Sequence, residues 1–160
     1  MMFKMKFILV LMFLSVFACD NSIISEDGKL ISNTVCKNEK NVLFDKSETC
    51  VEYSYNKETK TLNLKHINAG FNCCPKALYA EIVKEGNIIT IEESERTQEC
   101  NCMCLYDMEI EVYNVESQVY SIKFKEPYIG DQYELFFEIN LLKEQSGTYC
   151  LTREQDPWGY

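Results

Sequence analysis

Nine cysteines are spread over 160 residues, and five of them fall between positions 73 and 104, as the adjacent pair Cys73-Cys74 and the alternating set Cys100, Cys102 and Cys104. On an extended strand, successive members of that set point to the same face about 6.5 to 7 Å apart, too far and too badly aimed to bond one another. Each needs a partner from elsewhere. Cys73 and Cys74 lie in Phe71-Asn72-Cys73-Cys74-Pro75, read as a loop, where neighbours can serve two different partners. The expected arrangement therefore bonds this pair to two of the three strand cysteines.

The rest of the chain supplies strands, because apolar and polar residues alternate with a period of two and helical spacing is largely absent. Val51, Tyr53 and Tyr55 share one face. Asn56 to Lys60 then reads as a hairpin turn into Leu62, Leu64 and His66. Ala77 to Val83 and Ile88 to Glu92 form a second pair around Lys84-Glu85-Gly86-Asn87, where Gly and Asn accept a tight turn. From Cys100 to Val112 the cysteines, Tyr106, Met108, Ile110 and Val112 keep one parity. Tyr120, Ile122 and Phe124 follow, and Tyr133, Leu135, Phe137, Ile139 and Leu141 form the last strong row. Seven or eight strands with closely spaced turns predict an all-β fold, an antiparallel, immunoglobulin-like β-sandwich stapled by disulfides, with a small barrel as the alternative.

The first residues read differently. Met1 to Lys6 are basic, and Phe7 to Phe17 form an apolar run too short to span a bilayer as a helix. The run ends in Ser15-Val16-Phe17-Ala18-Cys19. This resembles the lipobox of bacterial lipoproteins, with Val16 where Leu is usual. The resemblance implies removal of residues 1–18 as a signal peptide and acylation of Cys19, with palmitate-type chains, as the new N-terminus. One acyl chain holds a membrane only marginally, whereas several hold firmly. Residues 19–41 are polar and are expected to be a tether; residues 42–160 are expected to be a single domain.

Setting Cys19 aside leaves Cys36, Cys50, Cys73, Cys74, Cys100, Cys102, Cys104 and Cys150, an even number that points to four disulfides in an oxidising compartment. After the central pairings, the remaining strand cysteine is assigned to Cys150, and Cys36 to Cys50. The competing reading is a metal-binding envelope protein in which His66, Cys73, Cys74, Cys102 and Cys104 hold Cu(I) or Zn(II). The spacing lacks the C-x-x-C pairs of a zinc finger, and no other cofactor is implied.

Catalytic motifs are missing from the sequence. His66 is the only histidine, no Gly-x-Ser-x-Gly elbow or phosphate loop occurs, and the run Glu92-Glu93-Ser94-Glu95, like Glu109 and Glu111, suits solvated strand faces better than a glycosidase pair. The chain is therefore read as no enzyme. Its net charge is −9, falling by two to −11 without residues 1–18, which carry Lys4 and Lys6 and no acid. That field repels nucleic acid. Trp158, the one tryptophan, is expected to fold back over an open end of the sandwich.

The strings HINAGFNCCP (66–75) and CNCMCLYDMEIEV (100–112), with the closing Pro-Trp-Gly, are similar to a group of small cysteine-rich lipoproteins and exported proteins of Bacteroidetes-type bacteria. That resemblance implies location and architecture and carries over no functional residue. The expected protein is a cell-envelope lipoprotein, lipid-anchored to a bacterial membrane on the periplasmic or surface face of the outer membrane. It works as a non-enzymatic binding or structural module toward a protein or glycan partner.

Overall fold

The computed structural model describes residues 26–37, 48–97 and 100–154. Among them are nine strands and no helix: β1 (Gly28–Asn33), β2 (Glu48–Asn56), β3 (Thr61–Asn72), β4 (Pro75–Glu85), β5 (Ile88–Thr97), β6 (Met103–Val112), β7 (Val119–Lys125), β8 (Phe136–Asn140) and β9 (Ser146–Thr152). They form a five-stranded sheet in the order β1-β6-β3-β2-β9 and a four-stranded sheet in the order β4-β5-β7-β8. The all-β, two-sheet architecture is the one the alternation predicts. Cys19 and Trp158 lie outside the described residues.

The core is the sum of the inward rows. Val51, Tyr53 and Tyr55 from β2, Leu62 and Leu64 from β3, and Met108, Ile110 and Val112 from β6 face Ile82, Ile89, Ile91, Ile122, Phe124, Phe137 and Ile139 of the other sheet, all buried. Each large apolar side chain so buried contributes about 1.5 to 3 kcal/mol. The β4–β5 turn takes its positive φ at Gly86, at 62°, where the absent Cβ removes the steric cost.

Several expectations need correction. Residues 28–33, read as tether, form edge strand β1, which pairs antiparallel with β6 from Gly28↔Val112 to Asn33↔Met108. Their polarity reflects an exposed edge with only Gly28 buried. A Cβ on Gly28 would collide with the Glu111 carbonyl oxygen, so glycine permits the close approach. Cys100 and Cys102 lie ahead of β6 in irregular chain, and only Cys104 belongs to the strand's buried row. Tyr133 is 81% exposed and stands outside the row that starts at Leu135. The chain also adds β9, which alternates weakly because it is an edge strand. Finally, β5 and β7 run parallel, from Ile88↔Ser121 to Glu92↔Lys125, within an otherwise antiparallel pair of sheets.

The eight cysteines pair as Cys36–Cys104, Cys50–Cys150, Cys73–Cys102 and Cys74–Cys100. The adjacent pair does bond two of the three alternating cysteines, as expected, although Cys100 and Cys102 lie ahead of the strand rather than on it. The other assignments exchange partners. Cys50 and Cys150 sit directly opposite each other on neighbouring β2 and β9, with Cα atoms 4.1 Å apart, which leaves Cys104 for Cys36. Cys73 and Cys74 occupy the two-residue link where the chain crosses from β3 in one sheet to β4 in the other, so their bridges hold that crossing.

Candidate functional site: a buried charge cluster

Four inward rows end in polar or charged residues at the same level of the sandwich. Along β3, Leu62 and Leu64 lead to His66; along β5, Ile89 and Ile91 lead to Glu93; beyond β7, Ile122 and Phe124 lead to Glu126; beyond β9, Tyr149 and Leu151 lead to Arg153. The parallel register that sets Ile91 beside Phe124 also sets Glu93 beside Glu126, two carboxylates on one face. Thr49, on the inward face of β2, closes the group. All five residues are buried, His66 and Thr49 completely.

Hydrogen bonds fix the imidazole at both nitrogens. His66 Nδ1 lies 2.7 Å from Glu93 Oε1, and Nε2 lies 2.7 Å from Thr49 Oγ1. The Glu93 carboxylate accepts from Nδ1–H, and the Thr49 hydroxyl, which also lies 3.3 Å from the Ile67 carbonyl, can give its own proton to that carbonyl and accept from Nε2–H. The site therefore accommodates a ring protonated at both nitrogens. The ring also packs tilted on Phe124, with centroids 4.9 Å apart. Arg153 pairs with Glu126 through Oε2 and donates to the Tyr133 carbonyl at 2.6 Å, which ties β9 to the loop before β8.

Charge accounting favours the protonated ring. Two carboxylates and one guanidinium leave one negative charge, and an imidazolium cancels it. Burial alone pushes His66 down. The charge and hydrogen bond of Glu93, with Glu126 behind them at 3.9 Å, outweigh it and hold the group above its usual 6.5. Burial likewise pushes the Glu126 carboxyl up, against His66 and Arg153, which draw it down. The carboxylate oxygens Glu93 Oε2 and Glu126 Oε1 are buried with no hydrogen-bond partner among the described residues, so this cluster is balanced in charge more fully than in hydrogen bonds.

The folded state holds the His66 proton more tightly than the unfolded chain, so this stabilisation is complete below about 6.5 and is lost as pH rises through the higher folded-state value. Glu126, raised in the fold, acts in the same direction. Denaturant midpoints should therefore fall on going from mildly acidic to alkaline buffer, and His66→Gln should flatten that decline. An equal slope in both proteins would show that His66 is not its source.

Glu93, Glu126 and Arg153 escaped the sequence reading, although strand parity held the signal for each. Glu93, read as part of a solvated face, continues the Ile89-Ile91 row and points inward. The Glu93–His66–Thr49 spacing matches that of an orienting carboxylate, a base and a hydroxyl nucleophile, yet Thr49 has no exposed surface for a substrate to meet.

Of the candidate metal ligands, Cys73 and Cys74 lie together and Cys102 is bonded to Cys73. Both nitrogens of His66 are engaged by Glu93 and Thr49, and His66 is in neither group of closely spaced ligand atoms among the described residues. Those groups are Cys73, Cys74 and Cys100, and Cys50 and Cys150 with Glu48, each with ligand atoms within 4.8 Å of one another. Sulfurs in a disulfide offer no thiolate to an ion. No family model, curated protein or solved structure matches the chain.

Proposed function

We propose that this chain is an exported lipoprotein, held to a bacterial envelope membrane through acylated Cys19, whose β-sandwich serves as a non-enzymatic binding or structural module. The observation that supports it best is sulfur pairing: all eight cysteines of the described residues lie in disulfides, a state kept by oxidising compartments and rare in a reducing cytosol. The apolar run before Cys19 supplies the route to such a compartment. The acidic surface favours a protein or glycan partner over nucleic acid or anionic lipid.

The N-terminal peptide of protein extracted from membranes tests the reading. It should begin at Cys19 and carry a thioether-linked acylated glyceride, and Cys19→Ser should move the protein out of the membrane fraction. An unmodified start at another residue would exclude the anchor. The second reading, metal binding, draws on the close sulfurs of Cys73, Cys74 and Cys100. Its signature is free thiols together with stoichiometric metal, in place of four intact bridges.

A further inference from the structure

Two residues beyond His66, a second set of polar side chains converges under the first edge of the larger sheet. After β1 the chain keeps to β6: Thr34 N–H donates to the Asp107 carbonyl and Lys37 N–H to the Leu105 carbonyl, both at 2.9 Å. The Cys36–Cys104 bridge pins it there. Across β6, the β3 register shifts between His66 and Ala69, so that Ile67 and Asn68 together oppose Asp107. Asn68 adopts a left-handed φ of 64° in this bulge.

The side chains then meet. Lys37 Nζ donates to Asn68 Oδ1 at 2.8 Å and pairs with Asp107 Oδ1. That same carboxylate oxygen accepts the Asn68 backbone N–H at 3.1 Å, and Asn68 Nδ2 donates to the Glu48 carbonyl at 2.8 Å. The Lys37 and Asp107 side chains are only 6% and 14% exposed, and Asn68 is wholly buried. An amine, a carboxamide and a carboxylate are thus held in mutual contact, largely shielded from water.

We propose that Lys37 and Asn68 are joined by an intramolecular isopeptide bond, with Asp107 as the catalytic residue. Asp107 takes a proton from the Lys37 ammonium, and the neutral amine attacks Asn68 Cγ. The Cγ–Nδ2 bond of the tetrahedral adduct breaks, and Asp107 returns its proton to the departing nitrogen, with the second amine proton following. An ammonium and a carboxamide become a secondary amide and an ammonium ion. Charge is conserved, and no oxidant or reductant takes part. Fixed proximity supplies the driving geometry, since holding reactants in contact is worth orders of magnitude in rate. Burial also keeps water from competing for the carboxamide carbon.

The bond would sit beside Cys36, where the chain leaving β1 is pinned to β6. A reducing agent cuts the neighbouring disulfide and leaves the amide.

Peptide mapping of full-length protein extracted from membranes, reduced, alkylated and digested, tests the proposal. The Lys37 peptide should appear joined to the Asn68 peptide, at their combined mass less one ammonia. Lys37→Arg and Asp107→Asn should each yield two separate peptides. Separate, unmodified peptides from the wild-type protein would overturn the bond, and that digest decides the matter without relying on any variant to fold. A linked pair that persists in Asp107→Asn would overturn the role given to Asp107.

Discussion

Arg153→Met should lower the stability of the domain by about 3 to 5 kcal/mol, the usual result of stripping one partner from a buried ion pair. Arg153 is the fixed positive charge beside Glu126 and Glu93, and without it the cluster keeps one imidazolium against two carboxylates. Because a domain of this size has only about 5 to 15 kcal/mol in total, a change of that size brings unfolding within reach of modest denaturant or warming. The double variant Glu126→Gln with Arg153→Met should recover most of the loss. Removing both charges leaves His66 paired with Glu93 and no buried charge uncompensated, and replacements of whole buried ion pairs are often neutral. Chemical denaturation of the three proteins at one pH separates the cases. A single variant as stable as the parent, or a double variant as unstable as the single, would mean that the charges are not coupled through the core.

The second large effect belongs to the longest bridge. Cys50 and Cys150 are separated by 100 residues, and replacing both by Ala should cost roughly 4 kcal/mol in the chain-entropy picture. The Cys36–Cys104 bridge offers a shorter path around the same ring, but the logarithmic dependence on loop length makes that a correction of only about half a kcal/mol. Replacing Cys74 and Cys100 should cost about half as much, because Cys73–Cys102 closes almost the same loop, one position away at one end and two at the other. Thermal and denaturant midpoints of the two double variants should therefore differ, with the Cys50/Cys150 pair the lower. The reverse order would show that local packing at the β3–β4 crossing outweighs chain entropy.

Parity along the strands was enough to place most of the core. Val51, Tyr53, Tyr55, Leu62, Leu64, Met108, Ile110, Ile122 and Phe124 all point where a period of two puts them. Edge strands were harder to see. β1 and β9 each pair on one side and bury little, so their sequences, GKLISN and SGTYCLT, carry almost no apolar alternation. The buried cluster was hidden by residue type rather than by pattern. Glu93, Glu126 and Arg153 occupy inward positions, but a charged residue at such a position becomes legible only when a partner charge is known to lie opposite. That partner comes from the parallel pairing of β5 with β7 and from the return of β9, which local sequence does not encode.

Cysteine pairing was half legible for a related reason. Adjacent Cys73 and Cys74 had to look outward to the alternating set, whereas the choice between Cys50 and Cys104 as the partner of Cys150 depends on β9 lying against β2. The bulge that carries Asn68 to Asp107 was likewise invisible, since His66-Ile67-Asn68-Ala69 reads as uninterrupted strand until its register against Met108 and Tyr106 is known.

Sulfur holds the fold: four covalent staples lock the domain in one definite pattern. Disulfide mapping of the protein taken from its native compartment, with thiols blocked before unfolding, measures this directly. It should find no alkylatable thiol at positions 36 to 150, and the four linked pairs 36–104, 50–150, 73–102 and 74–100. Free thiols at these positions, or a mixture of pairings, would contradict the central claim.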